Sequence, residues 1–193
     1  MVVRAPIRRS VRGATLVEVL ITLVIIAFGL LGMAGLHVRM QISEMEAYQR
    51  SQALMLLNEM ATRIATNRAN AAAYVSGASS ALGSGADCTS LSGTSRAQRD
   101  LANWCTELQG AGETTVVGGA TMRQGVMIGA RGCVQLSSDG DYLVTVVWQG
   151  FTPIAAPPAS LTCGANQYDN GSACAHDLCR RTATTVVRIA TLT

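Results

Sequence analysis

The feature that most constrains this chain is a long stretch near its N-terminus without charged side chains. The stretch runs from Val19 to Leu36, and together with Ala14–Glu18 it makes an apolar segment of 23 residues. A helix rises ~1.5 Å per residue, and the hydrocarbon core of a bilayer is ~30 Å thick. The sequence therefore predicts a helix that is long enough to cross a membrane.

The residues before this stretch are basic. They include no acidic residue and four arginines, Arg4, Arg8, Arg9 and Arg12. The positive-inside tendency predicts that residues 1–13 stay in the cytoplasm and that the rest of the chain is exported. Without these arginines, 11 basic residues face 12 acidic ones, and the net charge falls from +3 to −1. The basicity therefore belongs to a targeting segment, and we expect no nucleic-acid partner.

Glu18 distinguishes this segment from two simpler possibilities, a cleaved secretory signal and a plain membrane anchor. A secretory apolar region is about 7–15 residues long and ends at an A-x-A-like site, whereas this one is longer and has no such site. A carboxylate at the centre of a bilayer costs roughly 2.5–3.5 kcal/mol, so Glu18 is expected to have a partner. A plain anchor would have no use for that charge.

The six cysteines all lie in the C-terminal part of the chain: Cys88, Cys105, Cys133, Cys163, Cys174 and Cys179. An even number confined to one region predicts disulfides formed in an oxidising compartment. Zinc is the alternative, but the chain has no C-x-x-C pair and one histidine, His176, nearby. Cys88 and Cys105 flank one loop, and Cys133 and Cys163 would join a predicted hairpin to the proline-rich segment after it, so we expect these two pairs. Cys174 with Cys179 is assumed as the third pair, among the many pairings that six cysteines allow.

The remaining pattern predicts one long helix followed by strands. No proline or glycine occurs from His37 to about Ala73, and apolar residues recur at helical spacing at Ala53, Leu57, Met60 and Ile64. A loop is expected at 76–95 and a short helix at 101–108 with Trp104 in the core. Candidate strands are 114–117, 125–128, a hairpin at 132–149 with an Asp-Gly turn, and 184–192. This order predicts the α+β class.

The segment Gly13–Ile21, which reads GATLVEVLI, resembles the class III signal of type IV prepilins. In that family a prepilin peptidase cuts after the glycine, here Gly13, and methylates the new amine, here on Ala14. Ala14 stands where phenylalanine is commonest. Glu18 would neutralise the amine of a neighbouring subunit, because pairing the two charges removes both burial penalties. Gly29, Gly32 and Gly35 form either a helix-packing stripe or ordinary membrane-helix glycines.

Motifs near the C-terminus extend the resemblance. Arg131–Cys133, Tyr142–Gly150, Cys163-Gly164 and Arg180-Arg181 resemble the minor pilin family PilV, the type IV pilus modification proteins. The resemblance excludes roughly residues 76–100, and Cys174 and Cys179 are not part of the family pattern. It implies a pilin-like α+β fold, in which a long N-terminal hydrophobic helix packs on a small antiparallel sheet.

The resemblance also implies a function and partners. The expected role is that of a minor pilin near the tip of a type IV pilus, which helps to initiate assembly and supports attachment and twitching motility. The expected partners are the prepilin peptidase, other minor pilins, the major pilin and, before assembly, the inner membrane. A minor pseudopilin of a type II secretion system is the alternative, and a DNA-binding competence pilin is disfavoured by the absence of a basic stripe.

No catalytic or metal site is predicted. His37 and His176 have no suitably spaced acid and nucleophile, so neither an enzyme on a membrane stalk nor a cofactor is expected. Asp139 and Asp141 flank Gly140, where turn chemistry explains them better than calcium does.

We divide the chain into a leader at 1–13, a transmembrane and filament-core helix at 14–36, its amphipathic continuation at 37–75, and a periplasmic globular domain at 76–193. After insertion as a single-pass protein of the inner membrane, the chain is expected to enter a filament at the cell surface.

Overall fold

The computed structural model describes residues 13–110, 114–117, 120–123, 125, 127–169 and 171–190. The chain divides into two compact units, Met1–Ser43 and Glu44–Thr193. Within the described residues, a long N-terminal helix and a small antiparallel sheet confirm the predicted α+β class. The leader expected at 1–13 lies outside the described residues, apart from Gly13.

Helix α1 extends over Leu16–Thr66, and the boundary between the two units falls inside it. In the second unit one face of α1 is buried at the positions that the sequence predicted, Ala53, Leu57, Met60 and Ile64. Their spacing of three and four residues places them on one side of a helix with 3.6 residues per turn. The amphipathic half of α1 therefore belongs to the core of the second unit.

The prediction that α1 continues to about Ala73 is wrong. The α-helix ends at Thr66, and a 3₁₀ helix follows at Arg68–Tyr74. Asn67 and Asn70 both have φ near −120°, outside the α-helical region, and the Asn70 side chain donates a hydrogen bond to Asn67 Oδ1 at 3.1 Å. Short amides compete in this way with helical backbone hydrogen bonds, which explains the early end.

The segment after this 3₁₀ helix has more structure than the predicted loop. It contains strand β1, Leu82–Gly83, and a second 3₁₀ helix, Cys88–Leu91. Helix α2 covers Arg96–Leu108 and begins five residues before the predicted start. Ser95 and Gln98 form a capping box, in which each side chain binds the backbone N–H of the other residue. This reciprocal cap satisfies free N–H groups and fixes the earlier start.

The strands of the described residues form two sheets. Strands β2, Thr114–Val117, and β3, Ala120–Arg123, pair as a hairpin. The main antiparallel sheet has the order β1-β4-β5-β6 and contains β4, Ile128–Leu136, β5, Tyr142–Gln149, and β6, Arg180–Val187.

Two strand predictions need correction. The range 125–128 is not a strand of its own, because Gly125 and Met127 are irregular and Ile128 opens β4; residue 126 is outside the described residues. The last strand ends at Val187 and starts at Arg180, four residues before the predicted Thr184, because all eight of its residues pair with β5. The predicted hairpin is confirmed, and Gly140 supplies its turn with a φ of 82°.

Strand β5 is covered on both faces. Tyr142, Val144, Val146 and Trp148 join a core with α1 and α2, in which Trp104 is fully buried as predicted. Gly132 makes this packing possible, because a Cβ there would lie 2.2 Å from the Trp104 ring. On the opposite face, a smaller cluster comprises Cys133, Val147, Cys163 and Tyr168.

Candidate processing and assembly site

The expected cleavage junction lies in exposed, non-helical backbone. Gly13, Ala14 and Thr15 precede the first helical residue, Leu16, and all three are exposed. A Cβ on Gly13 would meet no described atom within 4 Å. A peptidase needs an accessible bond that is not held in a helix, and the bond between Gly13 and Ala14 meets both conditions in the described part of the chain.

Thr15 caps the start of α1, a role that was not predicted. Its Oγ1 accepts a hydrogen bond from the Glu18 N–H at 3.3 Å, and its carbonyl accepts one from the Val19 N–H at 3.2 Å. The order Thr15-Leu16-Val17-Glu18 is the S/T-x-x-E pattern of a capped helix start, so the signal was present in the sequence. After cleavage at Gly13, the new amine would stand one residue before this cap.

Glu18 is exposed in the first turn of α1. Its negative charge interacts favourably with the partial positive charge at a helix N-terminus. None of the ion pairs among the described residues involves Glu18. The carboxylate and the Ala14 backbone nitrogen therefore lie near the same end of α1, with the carboxylate available to a cationic partner.

The large apolar side chains of α1 between Leu16 and Met40 are all exposed. Exposure is 83% for Leu16 and 72% for Phe28, and no residue of the most apolar 18-residue window is buried. That window has a mean hydropathy of 2.6, and α1 is the one described helix with the length and composition of a membrane span. A side chain at Gly29, Gly32 or Gly35 would meet nothing within 4 Å, which leaves both interpretations of these glycines open.

Disulfides link elements of the second unit. They join Cys88 to Cys105, Cys133 to Cys163 and Cys174 to Cys179, and no described cysteine is free. The first ties a 3₁₀ helix to α2, and the second ties β4 to the loop that covers the smaller cluster. The third closes a short loop just before β6. With all six sulfurs in S–S bonds, none is a zinc ligand.

Arg180 and Arg181 both form ion pairs and hydrogen bonds within the second unit. Arg180, 3% exposed, pairs with Asp177 at 3.0 Å and donates to the carbonyls of Leu161 and Cys163. Arg181 pairs with Glu46 of α1 at 3.1 Å.

Glu46 is a residue that the sequence analysis missed. Its Oε1 also accepts hydrogen bonds from the Phe151 N–H at 3.1 Å and the Thr152 hydroxyl at 3.3 Å. These contacts fix α1 to β6 and the loop after β5 within the second unit. No local sequence motif indicates such a contact, because more than 100 residues separate Glu46 from its partners.

The candidates for catalysis and metal binding do not form a site. His37 and His176 are both exposed, and the described residues contain no group of three or more His, Cys, Asp or Glu side chains placed to hold a metal. Asp141 forms an ion pair with Arg188 at 2.9 Å. Of the two aspartates in the hairpin turn, Asp139 and Asp141, one is therefore already paired with an arginine.

Comparison with known protein families gives a match at the N-terminal end of the chain. Residues 8–34 match the family model described as the prokaryotic N-terminal methylation motif. The match includes the Gly13–Ala14 junction and Glu18, so the chain carries a prepilin-type signal, which type IV pilins and pseudopilins share. Searches of curated proteins and of solved structures return no match.

Proposed function

We propose that this chain is a minor pilin of a type IV pilus, assembled at or near the pilus tip, where it helps to initiate polymerisation. The supporting observation is the coincidence of a prepilin-type signal at residues 8–34 with an apolar stretch of helix α1 in which no residue is buried in the single chain. Such a helix requires an apolar environment. The membrane supplies one before assembly, and neighbouring helices supply one in a filament.

The proposed mechanism starts with cleavage. Prepilin peptidase cuts the exposed bond after Gly13, removes the arginine-rich leader and methylates the amine of Ala14. The processed helix then carries one cation at its tip and one anion, Glu18, four residues further along. Inside a helix bundle the amine of one subunit pairs with Glu18 of its neighbour, so neither charge remains unpaired away from water.

The second unit is proposed to lie in the periplasm and then on the filament surface. Three disulfides and a separate hydrophobic core suit a domain that folds in an oxidising compartment. Its partners would be the other minor pilins and the major pilin. Twitching motility and attachment would follow from its effect on filament number.

A minor pseudopilin of a type II secretion system is the second candidate. The methylation motif favours it equally, because both classes share that signal. The PilV-like motifs at Tyr142–Gly150 and Arg180-Arg181 are the reason to prefer the pilus.

Deletion of the gene separates the two candidates. We expect the deletion strain to lose most surface pili and twitching while it secretes its exoproteins at the wild-type level, and the complementing protein to appear in sheared pili. Normal piliation with failed exoprotein secretion would instead show that the chain is a pseudopilin. Normal piliation and normal secretion would contradict both.

A further inference from the structure

A cleft with a volume of about 520 Å³ opens on the second unit between residues 78–86, strand β4 and the loop 162–167. Its wall consists mainly of alanine, glycine and serine, which leave backbone and hydroxyl groups accessible. Among the described residues that line it, Arg131 of β4 is the one charged side chain, and none is an aspartate or a glutamate. The cleft is therefore cationic and polar, with space for a small group.

Arg131 is held in a defined position. Its guanidinium carbon lies 5.2 Å from the centre of the Tyr168 ring, and its Nη1 donates to the Gly129 carbonyl at 3.2 Å. Tyr168 is 1% exposed, and its hydroxyl donates to the carbonyls of Gly129 at 2.8 Å and Val147 at 3.3 Å. A cation over an aromatic face is attracted to it, so the guanidinium is oriented before any ligand arrives.

The Cys133–Cys163 disulfide supports the same site. Cys133 follows Arg131 by two residues on β4, and Cys163 lies between the lining residues Thr162 and Gly164. The bond thus ties together two of the segments that line the cleft, which lowers the entropy that binding would otherwise cost.

Arg131 differs from the other arginines that are partly withdrawn from water. Arg63, Arg180 and Arg181 each pair with a carboxylate. Arg131 has no carboxylate partner among the described residues. Burial raises the pKa of Tyr168, and the nearby guanidinium of Arg131 opposes that rise.

We propose that this cleft is a carboxylate-binding site in which Arg131 supplies the counter-charge. The planar guanidinium can donate two parallel hydrogen bonds to the two oxygens of a carboxylate. Serine hydroxyls at Ser79 and Ser84 and the amide of Gln167 line the space around it and offer further donors. A phosphate group carries about −1.5 to −2 charges and would call for a second cation, and the described lining residues offer none besides Arg131.

Two sources provide this chemistry, an acidic side chain of a neighbouring protein and a small free carboxylic acid. The probes are therefore N-acetyl-aspartate methylamide, N-acetyl-asparagine methylamide as its neutral control, and acetate. Each is titrated into the full chain in detergent micelles at fixed ionic strength. The side-chain Nε–H signals of the arginines are followed by NMR, and the Arg131 signal is assigned by its loss in Arg131→Gln.

We expect blocked aspartate to shift the Arg131 signal saturably and blocked asparagine to leave it unchanged. Arg131→Lys should raise the dissociation constant roughly tenfold or more, measured on backbone amides of the cleft, because it loses the planar fork. Arg68→Gln is the matched control; Arg68 is exposed, lies outside the cleft and has no ion pair among the described residues, so binding should be unchanged.

A second variant keeps the test independent of Arg131. Ser79→Phe places a ring at an exposed position of the wall and should abolish the saturable shift while Arg131 remains. A shift that persists in Ser79→Phe, or that appears equally on all arginines, would overturn the proposal. Tighter binding of blocked aspartate supports a protein side chain as the source, and tighter binding of acetate supports a free acid.

Discussion

The two units of the molecule differ in where their apolar side chains lie. In the first unit, large side chains such as Leu16, Ile25 and Phe28 are more than half exposed in the single chain. In the second unit, Trp104, Val144, Val146 and their neighbours are buried against one another. Burying such a side chain contributes about 1.5–3 kcal/mol. The second unit gains that stabilisation by itself, and the first gains it only from its surroundings.

This difference separates two kinds of residue. In the proposed function, residues of the first unit serve processing and contacts with other chains, so their substitution should leave the second unit folded. Residues of the second unit determine its stability, and their substitution should not prevent the peptidase from recognising the prepilin-type signal.

The largest effect is expected at the cleavage junction. Gly13→Leu places a bulky side chain next to the bond to be cut, and we expect almost complete loss of processing, with an intact precursor held in the membrane. Mass spectrometry of the N-terminus measures the outcome: the wild type should begin at an N-methylated Ala14. Gly29→Leu is the control, because a side chain at that helical glycine meets nothing within 4 Å. Mature protein that begins anywhere else would refute the assigned junction.

The next effect concerns assembly. Glu18→Ala should leave the second unit folded and the leader cleaved, but it removes the expected partner of the Ala14 amine. Breaking a buried pair by removing one partner costs roughly 3–5 kcal/mol, so the variant should be nearly absent from sheared pili and retained in membranes. Glu44→Ala removes an exposed carboxylate of the same helix and should assemble normally. Equal amounts of both variants in pili would show that Glu18 is not an assembly charge.

The third effect is on the stability of the second unit. Replacing both cysteines of a bridge by alanine should lower its free energy of unfolding by about 2–4 kcal/mol. In the chain-entropy account the loss grows with the closed loop, so the order should be Cys133–Cys163, then Cys88–Cys105, then Cys174–Cys179, with sequence separations of 30, 17 and 5. Denaturant unfolding followed by tryptophan fluorescence measures this order.

The controls for the disulfide series lie in the first unit. All three variants should still be cleaved at Gly13, because the signal lies outside the domain that the bridges stabilise. Free thiols at all six positions in the exported wild type would contradict the disulfides themselves, and peptide mapping without reduction detects them.

Features encoded over short distances in the sequence were predicted well. The apolar run, the spacing of Ala53 to Ile64 and the Asp139-Gly140 turn are local patterns, and each corresponds to an element of the fold. The element ends were less accurate, because they depend on side-chain caps such as Ser95 with Gln98 and on strand pairing such as that of Arg180 with Gln149.

Two contacts between distant residues were not predicted. Glu46 finds its partners more than 100 residues later, and Arg131 reaches Tyr168 across the loop that a disulfide holds. Periodicity carries no information about such contacts, since they arise when the chain is already folded. The site at Gly13 and Glu18 was accessible to sequence analysis for the opposite reason, because its residues are neighbours along the chain.

The smallest predicted effect concerns the contact between α1 and α2. Arg63 of α1 forms an ion pair with Glu59 on its own helix. Its Nη2 atom also lies 3.3 Å from Oε1 of Glu107 on α2. Burial raises the pKa of Glu107, the charge of Glu59 adds to the rise, and Arg63 opposes it. The charged form of Glu107 is therefore disfavoured in the folded state relative to the unfolded one.

The sign of the pH dependence follows from that direction. A carboxyl group with a raised folded pKa contributes stability that is fully present below its unfolded pKa, about 4.3 for glutamate, and that is lost as the pH rises through the folded value. Glu107→Gln keeps the shape of the neutral group, so it should stabilise the second unit at pH 7 by up to about 1 kcal/mol, the range of partly exposed ion pairs. Denaturant unfolding at pH 7 and pH 4 should show this gain shrinking toward zero at the lower pH. A variant that is less stable than the wild type at pH 7 would show that the attraction of Arg63 outweighs burial at this contact.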